Sequence, residues 1–222
     1  MIRRAIFAEA LGSLLLFTTV IGSGIMAERL ADGNIAIALL GNTLATGAML
    51  FVLITMLGPI SGCHLNPIVT LVMHLRGHVR TRTATAFTAA QLLGGILGVW
   101  IAHLMFGEPI LQFSAKLRTG QGQLAGEALA TFGLILTILG TARSRPAHIP
   151  ASVALYITAA YWFTSSTSFA NPAITIARSL SDSFAGIALS SVPGFIAAQT
   201  TGALAAHFVA DLLFADQQEA SA

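Results

Sequence analysis

Asn66-Pro67-Ile68-Val69-Thr70 and Asn171-Pro172-Ala173-Ile174-Thr175 are the two stretches on which the reading of this chain turns. Asn is a strong N-cap residue, and Pro suits the first helical position because the N–H it lacks would be orphaned there in any case. Each pair therefore reads as a helix start. The segments they open, 66–76 and 171–180, have about half the length needed to cross a bilayer, as expected of re-entrant pieces. A single Asn-Pro is an ordinary turn or helix start. Two at matching places in a repeated apolar chain carry more meaning. A helix N-terminus exposes unpaired N–H groups and a partial charge of roughly +0.5, so two opposed starts focus positive potential at one depth and repel cations.

Outward from these motifs the chain is built for lipid. Of its 222 residues 55% are hydrophobic and only 9% charged. Apolar runs at about 5–27, 35–57, 84–106, 122–142, 150–165 and 185–214 predict six spanning helices. The formal net charge of +2 comes from basic residues lying between the runs rather than along one stripe, which argues against a nucleic-acid partner. Cys63 is the sole cysteine, so there is no intrachain disulfide or thiol-pair motif, and it reads as a small packing residue. The first run follows Arg3 and Arg4 as a signal peptide would, but its length, the embedded Glu9 and its later repeat partner favour a retained helix.

The chain also repeats itself. Glu9-Ala10-Leu11-Gly12-Ser13 matches Glu127-Ala128-Leu129-Ala130-Thr131, and Ala90-Gln91-Leu92-Leu93-Gly94 matches Ala198-Gln199-Thr200-Thr201-Gly202, in the same order around the two Asn-Pro motifs. The boundary falls near 112–121, giving a single domain over 1–222 with repeats of about 1–116 and 117–222. Three crossings per half is an odd number, so the second half must be inverted. The Asn-Pro segments then enter from opposite faces and meet near the midplane. Irregular backbone at that depth, here 59–65 and 164–170, is tolerated only against protein or a water-filled cavity, which implies a pore. The amides of Asn66 and Asn171 can offer donors to passing oxygen atoms and hinder a proton wire. With both termini cytoplasmic, Arg3, Arg4, Arg76, Arg80, Arg82, Arg143 and Arg145 lie inside, against Arg29, Lys116, Arg118 and Arg178 outside, in accord with the positive-inside rule.

These features, with Ser61-Gly62-Cys63-His64-Leu65 ahead of the first motif, make the chain resemble the aquaporin, or major intrinsic protein, family over about residues 5–212. The resemblance implies an all-α membrane protein of six transmembrane helices and two re-entrant half-helices in an inverted repeat. It also implies one pore per subunit, a homotetramer in the cell (inner) membrane, and passive conduction of water and small uncharged solutes with ions and protons excluded. No cofactor, metal or enzymatic activity is expected. In that family the intramembrane Glu residues, here Glu9 and Glu127, hold the re-entrant loops by accepting backbone hydrogen bonds, and Gln91 and Gln199 would do similar polar work between helices. The pore motifs are then Asn66, Pro67 and Ile68 with Asn171, Pro172 and Ala173.

The chain departs from the family at the narrowest constriction. An Arg usually stands three residues after the second Asn, and here that place is Ile174. The other filter positions, counted from the Asn residues, are Thr46, Ala159 and Ser168, none of them large. Such a filter is wider and less polar than one with Phe, His and Arg, so glycerol, urea and neutral metalloid hydroxides such as arsenite join water as expected cargo. Stretches 161–168 and 171–178 look like those of bacterial members linked to arsenic handling. Arg178, one turn beyond Ile174, either lines the outer vestibule or pairs with Asp182 at the surface. His64 lines the inner pore by the same resemblance, with a near-neutral titration. His74, His78, His103, His148 and His207 show no metal-ligand spacing, and no catalytic motif emerges. A secondary transporter, which also uses inverted repeats and broken helices, is the rival reading; the only midplane acids are Glu9 and Glu127.

Overall fold

The structure, a computed structural model, describes residues 2–214. The long helices are α1 (Ile2–Leu30), α2 (Ile35–Ser61), α4 (Thr81–Phe106), α5 (Gln121–Ser144), α6 (Ile149–Phe163) and α8 (Val192–Phe214); between them lie the short α3 (Pro67–Leu75) and α7 (Pro172–Arg178). Single 3-10 turns, Pro146–His148 and Leu189–Ser191, lead into α6 and α8. Among the described residues five helical stretches are long and apolar enough to cross a membrane: α1, α2, α4, α5 and Leu189–Phe214. The sixth expected crossing, α6, has 15 helical residues. At about 1.5 Å per residue these fall short of a hydrocarbon core of roughly 30 Å, and non-helical chain continues from both ends.

Local chemistry explains where the helices stop. Helix α2 runs on past the expected 57, through Pro59, to Ser61 and ends at Gly62, whose φ of 86° lets its N–H turn back to the Gly58 carbonyl. Beyond α2 the chain takes positive φ at Cys63 and Leu65, and beyond α6 at Thr167, Ser168 and Ala170. These strained turns swing each loop into the next Asn-Pro start. Helix α8 begins later than the expected 185 because the carbonyls of Ala185 and Gly186 accept from Arg178 and Arg118 instead of from a following helical turn.

Tight crossings hold each half together. The most extensive packing pairs α1 with α4 and α5 with α8. At the first crossing a Cβ on Gly94 would stand 2.1 Å from the Ala10 carbonyl oxygen, and at the second a Cβ on Gly202 would stand 2.1 Å from that of Ala128. Only glycine permits such an approach, which is how helices pack in lipid without a hydrophobic driving force between them. The polarity of the bundle is inside out. Glu9, Gln91, Glu127 and Gln199 are fully buried, while Leu93, Leu104, Phe208 and Leu212 stand exposed on the outer faces. Faces of that kind suit acyl chains or a second subunit.

Candidate pore

The two Asn residues build the centre from opposite sides. Asn66 Oδ1 accepts the Ile68 N–H at 2.9 Å, and Asn171 Oδ1 accepts those of Ala173 and Ile174 at 3.0 and 3.3 Å. Each amide nitrogen then reaches across: Asn66 Nδ2 donates to the Ala170 carbonyl at 2.8 Å, and Asn171 Nδ2 to that of Leu65 at 2.9 Å. Each Asn thus caps its own half-helix and fastens the loop leading to the other. One N–H of each amide is taken up in this way, leaving the second for the cavity.

Behind the loops lie two matching polar clusters. Glu9 accepts the N–H groups of His64 and Leu65 at 2.9 and 2.8 Å, the Ser61 hydroxyl at 2.6 Å and Gln91 Nε2 at 2.7 Å. Glu127 accepts the N–H groups of Phe169 and Ala170 at 2.8 and 2.9 Å and Gln199 Nε2 at 2.6 Å. Both glutamines donate onward to the Thr that follows the motif, Gln91 to Thr70 and Gln199 to Thr175. A carboxylate with several donors at these distances is a satisfied acceptor rather than a waiting base.

A cavity of about 260 Å³ runs past these elements, lined by residues of both halves, among them Thr46, His64, Asn66, Ser168, Asn171, Ile174 and Arg178. Liquid water occupies roughly 30 Å³ per molecule, so the cavity has room for several. Pro67, Ile68, Pro172 and Ala173 shape the half-helix starts and do not line it. His64 sits half-buried with Nδ1 3.0 Å from Thr70 Oγ1 and its ring edge-on to Phe87. Cys63 is buried, its thiol on the Leu53 carbonyl.

Two expectations need correction. Ala159 lies on the exposed face of α6 and not in the cavity; Ile157 and Tyr161 line it instead. An ungapped count from Asn171 fails because residues 164–170 are not helical, so the register of α6 does not carry through them. An aromatic residue therefore is present, and the Tyr161 hydroxyl lies 3.4 Å from that of Thr46. The surface pairing of Arg178 with Asp182 is also not what the structure holds. Arg178 is 2% exposed, donates from Nε to the Ala185 carbonyl, and lies with its guanidinium carbon 3.3 Å from the Phe169 ring centroid. Asp182 accepts the Ala115 N–H at 3.0 Å.

Arg118 gave no sign in the sequence beyond its charge. Buried in the segment before α5, it donates to the carbonyls of Gly186 at 2.8 Å and Ser166 at 3.3 Å and lies over the same Phe169 ring at 5.0 Å. Burial lowers its pKa to about 10, so it stays charged at neutral pH. Burial, then repulsion from Arg118 and Arg178, also lowers that of Lys116. Two guanidinium groups thus share the Phe169 ring, and one of them, that of Arg178, lines the cavity.

Known proteins share this design. The family described as Major intrinsic protein matches residues 1–169. Aquaglyceroporin AqpS of Rhizobium meliloti (strain 1021) is 51% identical over 203 residues, covering 91% of this chain and 87% of that protein. Aquaporin PIP2-4 of Oryza sativa subsp. japonica is 32% identical over 166 residues, covering 66% of this chain and 58% of its own length. The X-ray structure of the aquaglyceroporin from Plasmodium falciparum shares the fold, with a TM-score of 0.73 at 18% identity over 97% of this chain and 98% of that one. Capped half-helices meeting head to head, a lined cavity and these sequence matches together place the chain in the major intrinsic protein family, the aquaporins.

Proposed function

We propose that this protein is a passive transmembrane channel for water and small uncharged solutes, glycerol, urea and neutral metalloid hydroxides such as arsenite among them, and that it excludes ions and protons. The observation that carries the reading is the cavity passing two opposed helix starts whose Asn caps are bonded across to each other's loops. The positive ends of the half-helices disfavour cations there, and the amide N–H left on each Asn serves a passing oxygen atom. Similarity to a relative named an aquaglyceroporin supports solutes beyond water.

In this reading Glu9, Glu127, Gln91 and Gln199 hold the re-entrant loops, and Thr46, Tyr161, Ser168 and Ile174 bound the filter, with Tyr161 taking the place first given to Ala159. His64 lines the inner pore. The chain forms one domain of two repeats, assembles as a homotetramer in the cell membrane and keeps both ends cytoplasmic; residues 1 and 215–222 of those ends lie outside the described residues.

Purified protein in liposomes, challenged with osmotic gradients of water, glycerol and urea, tests the proposal. Non-saturating flux of water and at least one larger neutral solute is expected. Saturable uptake that depends on an ion gradient would replace the channel with a secondary transporter.

A further inference from the structure

Arg178 ends the second half-helix, yet its side chain turns into the bundle and lines the same cavity as Thr46, Tyr161, Ser168 and Ile174. Its direction is set twice: Nε donates to the Ala185 carbonyl, and the guanidinium lies on Phe169. The main-chain carbonyl of Arg178 accepts the N–H groups of Ser181 and Ile187, both at 3.4 Å, which fixes the backbone there. Phe169 is rigid in turn, bonded through its N–H to Glu127 and packed edge-on against Phe195 at 5.1 Å between ring centroids. Arg118 lies over the same ring from the segment before α5.

The charge of Arg178 is also left unbalanced. Among the described residues the ion pairs are Arg29 with Glu108 and Arg76 with Asp211, and neither Arg178 nor Arg118 takes part. The Asp182 carboxylate accepts the Ala115 N–H instead, and Glu127 is occupied by Phe169, Ala170 and Gln199. A buried cation without a carboxylate partner is costly unless it serves a purpose. The Ser168 hydroxyl, on a residue 2% exposed and without a hydrogen-bond partner, lines the same cavity.

We propose that Arg178 is the charge-selective residue of this pore: its guanidinium, brought in from one turn beyond Ile174 and fixed against Phe169, supplies the outer constriction with a permanent positive charge and N–H donors. This rests on the channel reading. A water passing Arg178 turns its oxygen toward the guanidinium, so it cannot accept a proton from the next water on that side. Protons and cations then meet two positive barriers in series, Arg178 first and the opposed helix starts second.

The test uses the full chain in liposomes, comparing wild type, Arg178→Leu, Arg178→Lys and the double variant Ile174→Arg/Arg178→Leu, with an interior pH dye for proton leak and light scattering for water and glycerol flux. Arg178→Leu should raise proton leak per unit water flux roughly tenfold, and the double variant, which puts a guanidinium back one turn inward, should return it toward wild type. Arg178→Leu that carries water and stays as proton-tight as wild type overturns the assignment. If Arg178→Leu does not assemble, the comparison passes to Arg178→Lys, which keeps the charge but loses the planar fork. A glycerol-to-water ratio changed by about threefold or more then supports the assignment, and a smaller change overturns it. A wild type that carries neither water nor glycerol would overturn the channel reading itself, whereas normal wild-type fluxes with a tight Arg178→Leu overturn only the role of Arg178.

Discussion

At the scale of single residues, Asn66 and Asn171 each join three functions in one amide: the oxygen caps a half-helix, one N–H ties the opposite loop, and the other is left for the cavity. Replacing either by Ala removes a cap worth about 1 kcal/mol and leaves a buried carbonyl, of Ala170 or Leu65, without its donor at a further cost of about 1–3 kcal/mol. Lower thermal stability in detergent and lower water flux are therefore expected of Asn66→Ala and Asn171→Ala, and wild-type values of both would refute the roles assigned. The glutamates invite a milder change. Glu127→Gln keeps the shape but turns one acceptor oxygen into an NH₂ that would face the donors of Phe169, Ala170 or Gln199. A buried donor facing a donor costs about as much as the lost bonds, roughly 1–3 kcal/mol, so the variant should melt lower in a thermal scan even though no atom is removed. Unchanged melting would show that the carboxylate charge is not used to hold the loop.

At the scale of elements, glycine placement makes a sharp contrast. Gly94 and Gly202 sit where helix backbones touch, while a Cβ on Gly58 would meet nothing within 4 Å. Gly94→Ala or Gly202→Ala must push α1 from α4 or α5 from α8, at a cost of about 1–3 kcal/mol, whereas Gly58→Ala should be neutral or stabilising by a few tenths. Unfolding midpoints of the three variants, measured side by side, check the ordering; equal midpoints would contradict the packing. The same element scale shows what the sequence could and could not disclose. Asn-Pro starts, apolar runs and paired Glu and Gln-x-x-Gly signals are local, and the half-helices and polar clusters lie where these signals put them. Counting fails across chain that leaves the helix. Residues 164–170 contain three positive-φ turns, so a count from Asn171 reached Ala159 rather than Tyr161. The direction of Arg178 depends on the carbonyl group at 185 and on a ring at 169, neither of which its helical spacing from Ile174 reveals. Arg118 belongs to the same cluster and is joined to it only through the folded chain.

For the molecule as a whole, the proposed roles assign size and charge selection to different walls of one passage. The cavity of about 260 Å³ has Thr46, Tyr161, Ser168, Ile174 and Arg178 in its lining. Thr46 is buried and held, its hydroxyl bonded to the Asn42 carbonyl at 2.8 Å, so a larger side chain there has to extend toward the cavity. Thr46→Phe adds an aromatic ring next to Tyr161 and should exclude a three-carbon polyol before it excludes water. A fall of roughly tenfold in the glycerol-to-water flux ratio, with proton leak unchanged, is the expected outcome, since the guanidinium and the opposed helix starts are untouched. Arg178→Leu, which removes the charge, should do the reverse and alter leak more than size discrimination. Matched liposome assays on protein of equal oligomeric state decide between separate and shared control. If Thr46→Phe opens the pore to protons, or leaves glycerol flux intact while Arg178→Leu abolishes it, then size and charge are sorted by the same side chain and the division of labour between the two walls is wrong.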